Sequence, residues 1–402
     1  MRPGDERELA RILAEATSTS TPLEIMGSGT KAAIGRPMQT AANLSAKAMR
    51  GITLYEPTEL VMSARAGTTL AIVERELYDR RQMLAFEPID LAPLVGGEPR
   101  QASIGAVFAT NSSGSRRISA GAARDHLLGV RAVTGAGEIF KSGGRVMKNV
   151  TGYDLCRGIA GSWGTLAVMT EVTFKVLPMP EETRTLIFLG LPDEIAVEIM
   201  CTAMGSPYEV TGAVHLQQPL AMRLWHAGLN ATRRSVTALR LEYFSSSIGY
   251  RSGKLKEMLA AYGEAEELDQ EGSLSFWDEL RQLSYLQESS RPVWRISTGP
   301  REAPRIVQAI SAYMECAAVY DWSGGLVWAE VLPAADAGAS DIRRVIATHG
   351  GHATLIRAEP AVRASIDVFQ PLDPGLEALT RRLKTTFDPA GILNPGRMYA
   401  SM

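Results

Sequence analysis

Cysteine is scarce in this sequence, and the few that occur exclude several kinds of protein. The chain of 402 residues has three, Cys156, Cys201 and Cys316, and they lie far apart. Three separated cysteines form no disulfide framework and no CxxC pair, and they cannot supply the four ligands of an iron–sulfur cluster. We therefore expect a reducing compartment, the cytoplasm.

Histidine is almost as scarce, which bears on metal binding. Two of the five histidines, His349 and His352, stand three residues apart in the glycine turn HGGHAT. A zinc site needs at least one more His, Cys or carboxylate ligand, and none stands nearby in the sequence. The pattern is typical of a plain loop, and we expect no bound metal.

Net charge and long apolar runs are lacking too. The formal net charge is −2, so no basic field attracts nucleic acid or an anionic membrane surface. No stretch reaches the ~18 uninterrupted apolar residues of a membrane-spanning helix. We expect no direct membrane insertion, so any attachment to the inner membrane would be made through partners. The N-terminus is charged from its fifth residue, which argues against a signal peptide.

Glycine, by contrast, is abundant, and the chain is long enough for two domains. In the first part, residues 60–67 predict a strand and residues 68–82 a helix capped by Thr68 or Thr69. Residues 128–144 predict two strands about a Gly-Ala-Gly turn. Two prolines end the β-branched run 165–183, and we place a domain boundary there.

The second part of the chain alternates helices and strands in the way of an α+β domain. Helices are predicted over 275–286 and 301–315. Strands are predicted over 238–244, 292–298 and 325–331.

The stretch LEIMGSGTKAAIG (23–35) has the glycine spacing of a phosphate-binding turn. An ATP-binding P-loop is excluded because Ala32 replaces the Ser or Thr that follows its lysine. A dinucleotide fingerprint formally fits, but it must open a helix, and Gly35-Arg36-Pro37 would break one after about one turn. The acid expected ~20 residues later is also missing before Glu56. A third possibility is a nest of backbone amides that binds pyrophosphate without a following helix.

Such a nest needs a second wall to close over a cofactor, and the sequence offers one. Residues 96–130 are rich in Gly, Ala, Ser and Thr, with Asn111 among them. Side chains this small cannot fill a core. They allow a long flat ligand to lie against the backbone, where Ser, Thr and Asn provide hydrogen bonds.

Four motifs, in order, resemble the FAD-binding (PCMH-type) flavoproteins of the vanillyl-alcohol oxidase / D-lactate dehydrogenase superfamily. They are GSGTK (27–31), SIGAVFATNSSGSRR…GAARDHLLGV (103–130), VMKNVTGYDLCRGIAGSWGTLAVMTEVTFKVLPMP (146–180) and FDPAGILNPGR (387–397). Within the superfamily the sequence is most similar to the smaller flavin-binding subunits of bacterial glycolate oxidases. That narrower match is carried by RQMLAFEP (81–88), MKNVTGYDL (147–155) and GGHATLIRA (350–358).

The resemblance implies an α+β fold: a two-lobed PCMH-type FAD-binding domain, then an α+β cap domain, then a C-terminal tail that returns to the flavin. The corresponding ranges are 1–180, 181–380 and 381–402. It also implies which residues contact FAD: Gly27, Ser28, Gly29, Thr30, Lys31, Ser103, Ile104, Gly105, Asn111, Ser112, Ser113, Gly114, Asp125, Ala167, Val168 and Asn394.

Each of these assignments has a structural alternative. Lys31 is a charge partner for the pyrophosphate if the turn binds it, whereas a plain tight turn needs no lysine. About half of the 103–114 set would be packing residues instead. Asp125 and Arg124 fit a turn-anchoring pair at least as well as direct contacts. Asn394 would approach the flavin or its ribityl chain, or else cap the Asp-Pro turn beside it.

Two departures from the family pattern carry predictions. The GSGTKA turn has no histidine, the residue that commonly tethers flavin in this superfamily, and Cys156 fits a small buried residue. We therefore expect non-covalent FAD. The H-x-x-G-D-G-N-x-H cluster of members that oxidise 2-hydroxy acids is also absent, so no catalytic residue is assigned. Arg295 could hold a substrate carboxylate, although an ion-pair role is more usual.

The leading hypothesis is therefore a FAD-binding subunit of a glycolate or related 2-hydroxy-acid oxidase complex. Its partners would be a larger homologous flavoprotein subunit, in which most substrate oxidation takes place, and an iron–sulfur subunit. One alternative is a self-sufficient FAD-dependent oxidoreductase that acts on a small hydroxy acid. Another is a structural subunit that has lost flavin.

Overall fold

A computed structural model describes residues 1–146 and 152–402 of the chain. The described chain forms two compact units. Unit 1 comprises residues 1–113, 121–179 and 367–402, and unit 2 comprises residues 114–120 and 180–366. Residues 147–151, the first part of the MKNVTGYDL motif, lie outside the described residues.

The helices and strands are numbered along the chain. The helices are α1 (Glu6–Ser18), α2 (Leu70–Tyr78), α3 (Ile104–Ala109), α4 (Arg117–Ala120), α5 (Ala123–His126), α6 (Leu155–Ile159), α7 (Asp193–Met204), α8 (Gln218–Ala221), α9 (Ala227–Asn230), α10 (Ser245–Leu259), α11 (Gln270–Arg281), α12 (Ala303–Ser311), α13 (Ala339–His349), α14 (Pro360–Ser365) and α15 (Pro374–Phe387). The strands are β1 (Leu23–Met26), β2 (Ala42–Ser45), β3 (Ile52–Glu56), β4 (Val61–Arg65), β5 (Gln82–Met83), β6 (Leu127–Thr134), β7 (Ile139–Gly143), β8 (Ala167–Lys175), β9 (Leu177–Pro178), β10 (Glu182–Leu189), β11 (Val210–Leu216), β12 (Val236–Tyr243), β13 (Glu266–Leu268), β14 (Val293–Ser297), β15 (Cys316–Asp321), β16 (Leu326–Val331) and β17 (His352–Arg357).

Unit 1 is built on an antiparallel five-stranded sheet of order β3-β4-β8-β6-β7. The apolar side chains of α2 and α3 join the sheet in one buried core that includes Leu70, Val73, Leu77, Ile104 and Phe108. The predicted strand at 60–67, helix at 68–82 and strand pair at 128–144 are confirmed. Thr69 occupies the N-cap of α2.

The C-terminal tail contributes to a second, smaller layer of unit 1. Strands β1 and β2 pair in parallel, with Leu23 opposite Ala42. Leu393 forms a parallel bridge to Leu23, whose amide donates to the Ile392 carbonyl oxygen at 2.8 Å. The tail therefore extends the edge of β1, where the glycine-rich turn begins.

The tail is fixed by a buried ion pair. Lys384 Nζ lies 2.6 Å from Asp388 Oδ2 and also donates to the carbonyl oxygens of Thr165 and Leu393, each at 2.8 Å. The Asp388 carboxylate in turn accepts from the amides of Ile392 and Leu393. This arrangement positions the segment that follows α15.

Unit 2 contains an antiparallel eight-stranded sheet of order β13-β10-β12-β11-β15-β16-β14-β17. The three strands predicted in this part are confirmed as β12, β14 and β16. The helix predicted at 275–286 is instead α11, which begins at Gln270, where Asp269 Oδ1 accepts from the Gly272 amide. It ends at Arg281, since Leu283 has φ +53° and cannot continue a helix. The expected α+β class is confirmed.

Candidate functional site

A cleft in unit 1 brings together many of the residues assigned from the sequence. Its empty volume, with the open mouth included, is about 680 Å³. The lining residues are Ile25, Met26, Gly27, Gly29, Thr30, Lys31, Ala32, Ala46, Ala66, Ser103, Gly105, Ala106, Ala109, Thr110, Trp163, Gly164, Ala167, Val168, Met169 and Arg397. Small side chains dominate, so much of the wall is backbone.

The glycine turn follows β1 and opens no helix, as predicted: residues 27–36 form only turns and bends. Gly29 has φ +84°, a conformation that L side chains rarely adopt. At Gly27, a Cβ atom would lie 2.0 Å from Ser103 Oγ. The absence of side chains at these two positions therefore lets the turn fold and approach the second wall closely.

Two polar side chains of the turn are buried without a hydrogen-bond partner in the described part of the chain. The Ser28 hydroxyl is one. Lys31 is the other, 6% exposed, with no hydrogen bond or ion pair on its ammonium group. Burial, assisted by Arg397, lowers the pKa of Lys31 from 10.5 to about 8, although Asp90 acts in the opposite direction. A buried cation and an unsatisfied hydroxyl are groups that an anionic ligand would stabilise.

The second wall is the N-terminal part of α3. Ser103 is its N-cap, with Oγ 3.4 Å from the amide of Ala106. Gly105, Ala109 and Thr110 line the cleft beside it. Ile104, also assigned to the site from the sequence, is fully buried in the core of unit 1 and is not among the lining residues.

Residues 111–114 do not line the cleft, and the structure gives them other contacts. Asn111 Oδ1 accepts from the Arg124 amide at 3.0 Å, and Ser113 Oγ accepts from the Ala123 amide at 2.9 Å. Asp125 Oδ2 accepts from the Ala122 amide, as in the turn-anchoring alternative. Ser112 is buried, with Oγ 3.4 Å from the Ile89 carbonyl oxygen.

The remaining member of that set, Gly114, belongs to unit 2. Its carbonyl oxygen accepts from Trp322 Nε1 at 2.9 Å. The glycine- and serine-rich stretch 96–130 is thus divided between the cleft, contacts with the start of α5 and the second unit.

Ala167 and Val168 begin β8 and line the cleft. Asn394 is fully buried, and its side chain connects three chain segments. Its Oδ1 accepts from the Ile25 amide at 2.7 Å, and its Nδ2 donates to the Trp163 carbonyl oxygen at 2.8 Å. The Asp-Pro turn is capped by Asp388 instead.

The two largest lining residues, Trp163 and Arg397, were missing from the sequence-based assignment. Trp163 lies in the GSWGT motif and Arg397 in NPGR, so both motifs were recognised without these positions being assigned. The Arg397 guanidinium carbon is 5.5 Å from the Trp163 ring centroid, and Arg397 Nη2 donates to the Lys31 carbonyl oxygen at 2.7 Å. Arg397 therefore positions the backbone beside Lys31.

The fold and the cleft together define a protein that binds a nucleotide cofactor. The buried lysine, the unsatisfied serine hydroxyl and the two glycines of the turn fit a pyrophosphate, and the small-residue wall fits an extended dinucleotide.

Comparisons with known proteins identify that cofactor. A profile described as an FAD binding domain matches residues 1–143. "Glycolate oxidase subunit GlcE" of Escherichia coli K12 is 35% identical over 394 residues, which cover 96% of this chain and 95% of that protein. "Glycolate oxidase subunit GlcD" of Bacillus subtilis is 24% identical, covering 99% and 88%.

A solved structure of p-cresol methylhydroxylase with substrate bound has the same fold. Its TM-score is 0.74 at 13% identity, with 100% of this chain and 88% of that chain covered. The chain belongs to the FAD-linked oxidoreductase family that includes the glycolate oxidase flavoprotein subunits. The expected PCMH-type fold, FAD cofactor and oxidoreductase class are confirmed.

Within residues 1–146 and 152–402, no group of three or more His, Cys, Asp and Glu is arranged to hold a metal ion. No helix in those ranges is long and apolar enough to cross a bilayer.

Proposed function

We propose that this chain is the FAD-binding subunit of a glycolate, or related 2-hydroxy-acid, oxidase complex. The observation that carries the proposal is 35% identity along nearly the whole length of a protein named as a glycolate oxidase subunit. A larger homologous flavoprotein would carry out most of the substrate oxidation, and an iron–sulfur subunit would take the electrons onward. The H-x-x-G-D-G-N-x-H cluster is absent from this sequence, which supports a substrate site in the partner subunit.

The proposed roles of the chain's own residues follow from the cleft. The turn at 27–31 holds the pyrophosphate with backbone amides, and Lys31 supplies a positive charge that no group in the described part of the chain neutralises by direct contact. Ser103 offers a hydroxyl group at the wall of the cleft, and Gly105, Ala167 and Val168 make that wall flat. Ser28 is not among the lining residues, and its buried hydroxyl lies within the turn itself. When bound, the flavin supplies hydride acceptance. The protein orients it and excludes water.

FAD in this cleft is proposed to be non-covalent. Among the described residues that line the cleft there is no histidine, cysteine or tyrosine to form a covalent bond with the flavin. The test is acid precipitation of the purified chain, followed by a visible spectrum of each fraction. We expect yellow flavin in the supernatant, and flavin retained in the pellet would contradict the proposal.

Purification without partners separates the candidate functions. A bound yellow chromophore with little bleaching by anaerobic glycolate or D-lactate supports the subunit role. Complete and rapid bleaching would instead show a self-sufficient oxidoreductase. A colourless chain that binds no added FAD would show a structural subunit. Coexpression with the larger flavoprotein and the iron–sulfur subunit then tests assembly directly, by co-purification in a fixed ratio.

A further inference from the structure

Helix α15 carries three leucines that the fold leaves exposed. Leu376, Leu379 and Leu383 are 51%, 46% and 43% exposed. Their spacing of three and four residues places them on one face of the helix, which we call the leucine face. Of the 14 residues of α15, only Lys384 is buried. Single exposed leucines are common, whereas a row of them on one helix is typical of a surface that another molecule covers.

The leucine face is fixed to the body of unit 1. Lys384, next to Leu383, is held in the buried ion pair with Asp388. One turn after Leu383, the ring of Phe387 lies 5.9 Å from that of Phe140 on β7, and both pack against the core of unit 1. The helix is therefore anchored beside the leucines, and a partner would meet them already in place. Binding to such a preordered surface loses little conformational entropy.

The spacing of the leucines indicates what kind of element fits them. Apolar residues three and then four positions apart form the a/d pattern by which one helix packs along another. In this pattern Leu376 and Leu383 occupy a positions, and Leu379 occupies the d position between them. A strand does not match, because its side chains repeat every two residues. The occupant is therefore a helix with an apolar row of its own.

The charge beside the leucine face narrows the kind of helix further. Arg382 occupies the g position, where paired helices form their interhelical ion pairs. It is exposed, and its side chain makes no ion pair within residues 1–146 and 152–402. Arg381, by contrast, is held by Glu377, with Nη2 2.6 Å from Oε1. An unpaired cation at a g position favours a carboxylate on the other helix.

A second copy of this chain does not supply that carboxylate. In an antiparallel pair of α15 helices the g positions meet each other, so Arg382 would lie beside its own copy. In a parallel pair the g position meets an e position, which is Thr380 or Phe387. A bilayer surface is also a poor match, because it selects helices rich in cations. The exposed cations of α15 are Arg381, which is paired, and Arg382.

We propose that the leucine face of α15 is a docking surface for an amphipathic helix of another protein. That helix places an apolar row against the three leucines and an acidic side chain opposite Arg382. The inference rests on the proposed function in one respect, since it takes the helix to belong to another subunit of the complex. It goes further by giving the surface and the chemistry of the contact.

Coexpression with the larger flavoprotein and the iron–sulfur subunit tests the surface. Leu379→Glu places a charge in the middle of the leucine face, and we expect the amount of co-purified partner to fall at least about tenfold. The FAD content and thermal unfolding of the variant should match those of the unmodified chain. The matched control is Leu274→Glu, at a leucine of α11 that is 50% exposed, and it should co-purify as much partner as the unmodified chain.

A change of charge tests the kind of partner. Arg382→Glu should reduce co-purification, whereas Arg382→Lys keeps the positive charge and should retain most of it. Full co-purification by a folded Leu379→Glu variant would overturn the inference, because the leucine face would then not be covered. Full co-purification by Arg382→Glu would overturn it too, because no acid would then lie opposite this position.

Measurements on the FAD-loaded chain alone separate the other occupants. A dimer in analytical ultracentrifugation that dissociates in Leu379→Glu would show that a second copy covers the face. Binding to vesicles of phosphatidylglycerol and phosphatidylethanolamine that is lost in Leu379→Glu would show a bilayer. Either result would overturn the inference and leave the proposed function standing. If the unmodified chain co-purifies with neither subunit, the proposed function fails, and this inference fails with it.

Discussion

Replacement of Lys31 by methionine should stabilise the flavin-free protein and weaken its hold on FAD. The side chain is 6% exposed, and burial lowers its pKa from 10.5 to about 8. At 1.36 kcal/mol per pKa unit, the charged lysine costs the folded apoprotein about 3 kcal/mol at neutral pH. Methionine has a similar length and no charge, so Lys31→Met should recover most of that free energy of unfolding.

The pH dependence of the apoprotein's stability shows independently whether Lys31 stabilises or destabilises the fold. Below pH 8 the lysine is protonated in both the folded and the unfolded chain, and the penalty is present in full. Between about pH 8 and 10.5 the unfolded chain binds more protons than the folded one, so this lysine makes stability rise with pH. The Lys31→Met variant should lack that rise.

The assay is urea denaturation of the apoprotein at several pH values, combined with FAD titration followed by flavin fluorescence. We expect the FAD dissociation constant of Lys31→Met to rise at least about tenfold, since a charge-assisted contact to phosphate is lost. Lys47→Met, at an exposed lysine of the same unit, is the control. Equal apoprotein stability and equal FAD affinity in Lys31→Met would refute the reasoning.

Two further predictions concern the turn and the tail. Gly29→Val should abolish stoichiometric FAD binding while far-UV circular dichroism stays native, because φ +84° strains any β-branched residue; retained flavin in the purified variant would contradict this. Lys384→Met should lower the free energy of unfolding by about 3–5 kcal/mol in urea, since the buried Asp388 carboxylate loses its partner. The double variant Lys384→Met/Asp388→Leu should lose less than Lys384→Met alone, and an equal or larger loss would show that the charge pairing is not the cause.

The flavin turn could be predicted from sequence because its determinants are local. Gly35-Arg36-Pro37 forbids a helix after the turn, and the turn indeed opens none. The strand and the helix within 61–78 could also be predicted, because the spacing of their apolar residues is likewise a local feature of the sequence. The end of α11 could not be predicted in this way, because it depends on the backbone conformation of one residue, Leu283. The sequence pattern places that end five residues later than the structure does.

The contacts missed by sequence analysis join distant segments. Arg397 reaches the Lys31 carbonyl oxygen across 366 positions of sequence, and no local pattern indicates that the two meet. The division of 96–130 is a similar case. Its small residues all suit a cofactor wall, and only packing determines that Asn111 and Ser113 accept hydrogen bonds from the first two residues of α5. Arg295 is a further case: the ion-pair role expected of it is not found within residues 1–146 and 152–402, because its neighbours across β16 and β17 are Trp328 and Thr354 rather than acids.

The hydrogen bond between Ile25 and Asn394 has a consequence for biosynthesis. The two residues are 369 positions apart, yet the bond fixes the strand from which the flavin turn emerges. At ribosomal rates of about 5–20 residues per second, residue 394 is added roughly 20–70 s after residue 25. The wall of the cleft therefore stays incomplete until residue 394 has been synthesised and has left the ribosome. Nascent chains should not acquire flavin before that point, and chains truncated before residue 390 should remain colourless.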